Sequence, residues 1–342
     1  MDLKHLLKRG ALLTAANWQT LAIQFVVEST FQGLLAVPIL GAAVLVTELL
    51  GGDLSELLQG NLRDMFTTIA GALRAEPVAL ISFVFAFGIA MLGGYMLTFL
   101  VKGGVVDVLA AASAEAGPIE QQPLTFDGVR HASRFTLARF SSGCGRLFRP
   151  YLSLGIGLIA VYGLSIGAYF AFVVYGFAAV EGRALIIGWT FVAALSGVLL
   201  YAWMTIVNMV YLLLQIAMAV EGVGVKGGCR AAARFIRSEF RDVAGVSLVV
   251  LALAGVATLV SALAWSGVGL IAFVPLVGIV VLPLQLAALV LRVLAFESLG
   301  LTTLGAYLTL YRGYLARHGE AVTGAHADQG LGGGVVGVTG AI

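Results

Sequence analysis

Residues 243–291 read VAGVSLVVLALAGVATLVSALAWSGVGLIAFVPLVGIVVLPLQLAALVL, a nearly unbroken apolar run that Pro275 and Pro283 interrupt. Apolar side chains continue to about residue 311, and a single helix over residues 243–311 would be roughly 100 Å long. The hydrocarbon core of a bilayer is only about 30 Å thick. The run therefore predicts two antiparallel membrane helices joined by a very short turn near Ser266–Pro275.

The composition of the whole chain excludes a water-soluble globular protein. Sixty per cent of the 342 residues are apolar, 11% are charged and the mean hydropathy is +1.01, whereas soluble domains carry about a quarter charged residues. So few charged side chains cannot cover a water-facing surface, and the bilayer is therefore the expected solvent. The 44 glycines agree with this, since glycine is more frequent in membrane helices than in soluble ones.

Six stretches are long and apolar enough to cross a bilayer, which takes about 20 residues. They cover approximately residues 19–49, 76–101, 151–179, 184–220, 243–268 and 276–311. The expected fold class is all-α, a polytopic membrane bundle of six helices arranged as three hairpins. The spans form a membrane domain over residues 19–315, preceded by an amphipathic segment (1–18) and followed by a Gly-rich tail (316–342) that we expect to be flexible.

The distribution of basic residues predicts the orientation of the chain. Lys and Arg number three before the first span, six in loop 102–150, five in loop 221–242 and two after residue 311. Loops 50–75 and 180–183 together hold three, and Arg292 lies inside a span. Because cytoplasmic loops carry an excess of Lys and Arg, we expect an inner-membrane protein with both termini in the cytoplasm.

Each hairpin is entered through a similar segment. The three segments are LKRGALLTAANW (7–18), VRHASRFTLARF (129–140) and CRAAARFIRSEF (229–240), and in each a basic residue precedes an aromatic residue by ten positions. Chance similarity among basic interfacial segments explains this as well as a triplicated ancestor does. With either origin, the pattern predicts three units, each an amphipathic interfacial helix followed by two spans.

The third entry segment has the clearest amphipathic pattern. Four arginines recur at steps of four, three and four, so one helical face carries them all: Arg230, Arg234, Arg237 and Arg241. The apolar residues of the opposite side are Ala232, Phe235, Ile236, Phe240 and Val243. A basic amphipathic helix of this kind lies on anionic lipid in the plane of the membrane. The alternative is a basic cytoplasmic loop that serves only the topology.

Polar residues inside the spans repeat on single helical faces and predict an intramembrane polar core. Seven residues separate Asn208 from Gln215 in the fourth span and Gln285 from Arg292 in the sixth, and the first span has steps of four. The predicted core consists of Gln24, Glu28, Gln32, Asn208, Gln215, Gln285, Arg292 and Glu297. Such faces point into the bundle because polar groups in lipid are costly. They form either a pathway between spans 1, 4 and 6 or hydrogen bonds between helices.

Two charged residues of this core, Glu28 and Arg292, most need an interaction partner. An isolated charge costs several kcal/mol at the bilayer centre, so Glu28 and Arg292 must pair, neutralise or reach water. We expect these two residues to meet in the interior, directly or through a bridging group, and Glu297 is a second candidate partner for Arg292. In the third span, Gly163-x-x-x-Gly167 predicts a close contact between helices.

The sequence contains no recognisable catalytic motif. There is no P-loop, no H-E-x-x-H and no G-x-S-x-G, and the four histidines are scattered. Cys144 and Cys229 have no metal-ligand spacing. We therefore expect no enzymatic activity, no cofactor, no metal site and no nucleic-acid partner.

Two stretches resemble a known family. AMAVEGVGVKGGCRAAARFIRSEFRDV (217–243) is similar to the turn and basic amphipathic segment before the fifth span in the membrane domain of bacterial glycerophosphodiester phosphodiesterases and related six-span proteins. TLYRGYL (309–315) is similar to the aromatic–Arg ending of that domain. The resemblance implies the six-span body. It implies no phosphodiesterase activity, because these residues include no catalytic domain.

Two functions agree with these observations. The first is a non-catalytic scaffold, accessory subunit or membrane-organising protein, whose partners are the bilayer, anionic lipid and other membrane subunits or a second copy of the chain. The second is a transporter or channel-like carrier with its pathway along the polar faces. Glu28 and Arg292 distinguish the two, because a carrier needs such charges for turnover, whereas a scaffold needs them only to be satisfied.

Overall fold

The computed structural model of the chain describes residues 2–49, 71, 77–120, 126–180, 183–272 and 277–331. Regular structure in these ranges is entirely α-helical, which confirms the predicted fold class. The helices are α1 (Leu3–Ala16), α2 (Trp18–Leu49), α3 (Pro77–Glu115), α4 (Phe126–His131), α5 (Leu137–Ala179), α6 (Arg183–Glu221), α7 (Val225–Ser238), α8 (Phe240–Ala272) and α9 (Val277–Leu331).

Six of these helices are long and apolar enough to cross a membrane, as predicted. The qualifying stretches are Trp18–Ala42, Leu80–Glu115, Leu137–Ala179, Leu185–Glu221, Phe240–Leu263 and Gln285–His318. Large apolar side chains on them point outward, and Val78, Phe85, Phe170, Leu185 and Leu259 are each more than half exposed. So much exposed apolar surface needs lipid around it, and the chain is therefore a multi-pass membrane protein.

The best-packed part of the molecule lies at one end of the bundle, the end that contains α1, α4 and α7. We call this end the base. At least seven helices contribute fully buried side chains to it, among them Leu6, Leu109, Tyr151, Ile216, Phe235, Val246 and Tyr311. The base is therefore a continuous apolar core, and its packing sets the directions in which the spans extend from it.

The three hairpins are arranged around a common centre. Their second helices, α3, α6 and α9, each contact the other two. The first helices lie outside: α2 packs against α3 and α9, and α5 packs against α6 and α3. By the same pattern α8 should pack against both α9 and α6. Within the described residues it packs closely against α9 and not against α6. The groove between α6 and α8 is therefore left open.

Two of the three entry segments have the same backbone form. Helices α1 and α7 are each 14 residues long, and each ends at a single residue that precedes a span. The dihedral angles of this residue nearly coincide, with φ −113° and ψ 43° at Asn17 and φ −115° and ψ 32° at Glu239. The middle segment differs, since α5 begins at Leu137 and Phe140 therefore lies inside a span. A common origin of the three units and chance similarity both stay open.

Glycine permits the closest approach of two helices in the base. A Cβ atom on Gly10 of α1 would lie 2.2 Å from the carbonyl oxygen of Thr302 and 2.8 Å from the amide nitrogen of Ala306 in α9. By contrast, a Cβ atom on Gly163 or Gly167 would meet nothing within 4 Å. The close contact predicted from Gly163-x-x-x-Gly167 is therefore not made within the described residues.

Several helices are longer than the predicted spans. Helix α3 continues to Glu115 and α5 begins at Leu137, so much of the predicted loop 102–150 is helical. Hydropathy marks only the apolar part of a helix. It does not detect the amphipathic continuations of α3 and α5, which buried residues such as Val105 and Leu147 hold in the base.

Some predictions concern residues outside the described ranges. These include the loop 50–75 apart from Gly71, and Pro275 in the short turn before α9. Helix α9 continues to Leu331. The flexibility of the tail 316–342 stays a prediction.

Candidate functional site

A cavity of about 610 Å³ lies between the spans, above the packed base. All six spans contribute to its wall, through Gln24, Lys102, Tyr162, Asn208, Ser247 and Tyr307 among others. Small residues leave the space open, since Ala254 of α8 and Gly300 of α9 also line it. Its volume is within the usual range of small-molecule sites.

Helix α6 turns its polar face towards this cavity. Tyr201, Asn208 and Gln215, which recur every seven residues, all line the wall. The hydroxyl of Tyr162 on α5 donates a hydrogen bond to Oδ1 of Asn208. The hydroxyl of Tyr151 donates to the backbone carbonyl of Gln215 at 2.8 Å. These bonds tie α5 to α6 along one side of the cavity.

Three helices bring charged groups together at the opposite side. Nε2 of Gln24 on α2 donates to a carboxylate oxygen of Glu297 on α9. Lys102 of α3 is within electrostatic reach of both Glu297 and Glu28. Among the described residues, however, Lys102 forms no ion pair as short as 4 Å. Lys102 therefore lies near two carboxylates and has no direct ion pair with either among the described residues.

Lys102 was not among the predicted core residues, because it stands at the start of the basic loop 102–150. The signal that could have found it is VVDVLAAA (105–112), which is apolar apart from Asp107 and continues the span beyond the lysine. A helix that stays apolar on both sides of a lysine puts that lysine inside the bundle. In the structure, Val105, Val108 and Leu109 are buried, which fixes this part of α3 in the bundle.

Lys102 and two further side chains have hydrogen-bond donors without an acceptor of good geometry among the described residues. The Lys102 ammonium nitrogen lies 5.6 Å from the centroid of the Tyr211 ring. The Tyr211 hydroxyl and Nε2 of Gln215 are buried close to each other, yet neither makes a hydrogen bond of acceptable geometry. Both side chains line the cavity. Because a buried unpaired polar group costs about 1–3 kcal/mol, this donor cluster (Lys102, Tyr211 and Gln215) calls for an acceptor.

The cavity opens sideways through the groove between α6 and α8. These helices meet where the Ser247 hydroxyl contacts the Met209 sulfur at 2.8 Å. Farther from the base, the lining residues Tyr201 and Ile206 of α6 are 64% and 52% exposed, and Leu251 of α8 is 37% exposed. Wall residues this exposed mean that the cavity is continuous with the surface that would face lipid.

The structure separates the predicted polar core into two groups. Gln24, Asn208 and Gln215 line the central cavity, and Glu28 and Glu297 lie beside it. Three other residues are elsewhere. Gln32 is exposed, and Gln285 and Arg292 line a separate cavity of about 290 Å³ between α8 and α9.

The expected meeting of Glu28 with Arg292 does not occur within the described residues. The Arg292 guanidinium lies 5.9 Å from the centroid of the Phe296 ring, and no ion pair joins it to Glu28 or Glu297 in this part of the chain. The reason is helical geometry. Five residues correspond to a rotation of about 140°, so Glu297 faces α2 while Arg292 faces α8.

At the base, α7 packs its apolar side on protein. Ala231, Ala232 and Phe235 are buried, and the Phe235 ring lies 5.0 Å from that of Tyr311 and 5.3 Å from that of Tyr314, centroid to centroid. The opposite side of α7 carries the exposed Arg230, Arg234 and Arg237, and the exposed Arg241 follows at the start of α8. The predicted apolar side includes the buried Ala232 and Phe235, which bundle helices rather than lipid cover, but it also includes Phe240, which is 64% exposed.

The two motifs that carried the family resemblance contact each other. The Tyr311 hydroxyl of TLYRGYL donates to the carboxylate of Glu221, at the end of α6. Gly222 follows with a φ of 67°, a conformation that favours glycine and turns the chain into α7. These motifs therefore hold α7 and α9 together in the base.

Several basic residues that predicted the topology also make structural bonds. Arg9 forms an ion pair with Glu120 at 2.8 Å, and Lys8 donates to the Glu120 carbonyl at 2.7 Å. Arg312 donates to the carbonyl of Ala110 at 2.9 Å. These contacts attach α1 to the segment that follows α3, and α9 to α3 itself.

Comparison with known proteins identifies no relative: no family model, no curated protein and no solved structure matches the chain. In the part of the chain that the structure describes, no group of three or more His, Cys, Asp or Glu side chains could hold a metal ion. The central cavity is therefore the feature of the molecule from which a function can be inferred.

Proposed function

We propose that this chain is a membrane carrier that binds a small molecule in its central cavity and moves it through the bundle. The observation that carries the proposal is a cavity whose wall includes residues of all six spans. Charged and polar side chains from α2, α3, α6 and α9 meet at it. A site built between all the spans can change its access when the hairpins move relative to one another.

The unpaired groups favour a carrier over a scaffold. A scaffold needs its buried polar groups to be satisfied, because each unsatisfied group reduces its stability. In this bundle the Tyr211 hydroxyl and the Gln215 amide lack partners in the described residues, and they do so beside an ammonium group. Intramembrane ionisable residues typically mark substrate or ion pathways. The scaffold, with no catalytic role, is the second proposal.

The orientation, the lipid partner and the family relation complete the proposal. The charge distribution supports an inner-membrane location with the base and both termini in the cytoplasm. The exposed arginine face of α7 supports binding of anionic lipid there. Replacing Arg230, Arg234, Arg237 and Arg241 by glutamine should lower the amount of anionic lipid that copurifies, and an unchanged amount would contradict this role.

A relation to the phosphodiesterase membrane domain, without its activity, is supported by the motifs at residues 217–243 and 309–315.

Water access to the cavity tests the carrier proposal. In a Cys229→Ser background, Thr205→Cys puts a thiol in the cavity wall, and Leu199→Cys is the control. Leu199 is on the same helix, 65% exposed, and not part of the wall. We expect a membrane-impermeant thiol reagent to label position 205 and not position 199 in membrane vesicles. A carrier is contradicted if only a lipid-soluble reagent labels position 205.

A further inference from the structure

We infer that the ligand of the central cavity is a single-chain amphiphile with an oxyanion head group, a carboxylate or a phosphate, and that it enters from the bilayer between α6 and α8. The inference rests on the proposed carrier function and adds the class of substrate. Three features carry it: the unpaired donors, the position of the Lys102 ammonium, and the apolar wall that leads to the open groove.

The donor cluster selects the head group. Lys102 can donate three hydrogen bonds, the Tyr211 hydroxyl one and the Gln215 amide nitrogen two, whereas among these three donor atoms only the Tyr211 oxygen can also accept. Donors therefore outnumber acceptors in this cluster, and a ligand group that accepts hydrogen bonds matches it best. Hydrogen bonds from a cation to an oxyanion are about twice as strong as neutral ones.

The glutamates do not occupy this position. Gln24 binds Glu297 at the α2–α9 side, whereas the Lys102 ammonium lies over the ring of Tyr211 on α6. Glu28 and Glu297 interact with Lys102 only from a distance, without a direct ion pair among the described residues. The side of Lys102 that faces Tyr211 and Gln215 is left for a ligand.

The rest of the wall suits an acyl chain. Leu158, Met204, Met209, Leu212, Val250 and Leu251 line it with apolar surface. Methionine side chains adapt their shape to flexible apolar ligands. Because the groove between α6 and α8 connects this surface with the lipid phase, a chain can enter without crossing water. A free phosphate ion would leave most of the cavity unfilled.

Photo-crosslinking of the full-length protein tests the inference. The protein is placed in nanodiscs of phosphatidylcholine, and the probe is oleate with a diazirine in the middle of its chain. We expect crosslinks on the wall residues of α6 and α8, in particular around Met204 and Leu251. Unlabelled oleate and lysophosphatidic acid should compete. Oleyl alcohol, which has the same chain without the oxyanion, should not compete, and neither should acetate or inorganic phosphate.

Substitution of the lysine provides the decisive comparison. Lys102→Gln should raise the oleate concentration for half-maximal competition about tenfold or more, as expected when a charge-assisted hydrogen bond is lost. Lys102→Arg should retain most of the binding. Lys226→Gln on the exposed surface of α7 is the matched control and should change nothing. If Lys102→Gln does not fold, Tyr211→Phe removes one unpaired hydroxyl and should weaken competition several-fold.

Three results would overturn the inference: crosslinking independent of Lys102 and Tyr211, equal competition by oleyl alcohol, or competition by inorganic phosphate without the amphiphiles. Different results would contradict the carrier proposal and the proposed ligand class. Lys102-dependent crosslinking without water access at position 205 indicates an amphiphile-binding protein that carries nothing. Water access without such crosslinking indicates a carrier for another class of ligand.

Discussion

At the residue scale, the bond between Gln24 and Glu297 is the polar contact most specific to this bundle, because it joins the first span to the last. Gln24→Leu leaves the Glu297 carboxylate without this donor. We expect a loss of about 1.5–3 kcal/mol in stability, the usual value of a hydrogen bond to a charged group. Gln32→Leu is the control, since Gln32 lies on the same helix and is exposed. Thermal unfolding in detergent measures both variants, and equal effects would contradict the assigned bond.

The two charges of the predicted pair provide a second residue-scale test. Because Glu28 and Arg292 do not meet in the described residues, the stability losses of Glu28→Gln and Arg292→Gln should add to within about 0.5 kcal/mol. The cycle of Glu28→Gln with Lys102→Gln should deviate from additivity, since these two residues interact electrostatically. A coupling for Glu28 with Arg292 larger than for Glu28 with Lys102 would restore the pairing that the sequence predicted.

Helical periodicity predicts which polar residues share a face, and it placed Asn208 and Gln215 on a common face. It cannot predict which neighbour that face meets, so it paired Arg292 with the wrong helix. Lys102 was missed for a different reason, because a lysine at the edge of an apolar run looks the same in sequence whether the helix ends there or continues. Tyr211 was missed because tyrosine is grouped with the apolar residues in a hydropathy analysis. Only the structure shows that its hydroxyl is buried without a hydrogen-bond partner of good geometry.

At the scale of single elements, α1 depends on a glycine. Gly10→Ala would put a methyl group 2.2 Å from the Thr302 carbonyl oxygen, so α1 and α9 must separate. Overpacking of this kind costs about 1–3 kcal/mol. Gly163→Ala is the matched control, because nothing lies within 4 Å of its Cβ position and alanine favours helix. We expect a lower melting temperature for Gly10→Ala alone. Equal stability of the two variants would mean that α1 does not pack in this way.

The number and type of the elements could be read from hydropathy, and their exact ends could not. The apolar runs predicted six spans. The extension of α3 to Glu115 and of α5 back to Leu137 depends on packing in the base, which a hydropathy average does not detect. The amphipathic pattern predicted for residues 230–243 holds within α7, but the helix ends at Ser238, and Phe240, which was assigned to the apolar side, is exposed. That the apolar side of α7 faces Tyr311 and Tyr314 depends on α9, which comes about 75 residues later in the chain.

At the scale of the whole molecule, the two cysteines allow a test of orientation in the unmodified chain. Cys229 is exposed on α7, whereas Cys144 is buried in α5. An impermeant maleimide should therefore label Cys229 in inverted membrane vesicles and leave intact cells unlabelled. Cys229→Ser should remove the signal and so serves as the control. Labelling from the outside of intact cells would reverse the predicted topology.

We infer that the bundle encloses a ligand site that opens between α6 and α8. The decisive measurement is an electron cryo-microscopy map of the full-length protein, purified in nanodiscs made from its native membrane. We expect this map to show α6 separated from α8 beyond Ser247 and Met209, with elongated non-protein density that reaches Lys102. A map in which α8 packs along α6, and Lys102 forms a direct ion pair with Glu297, would contradict it.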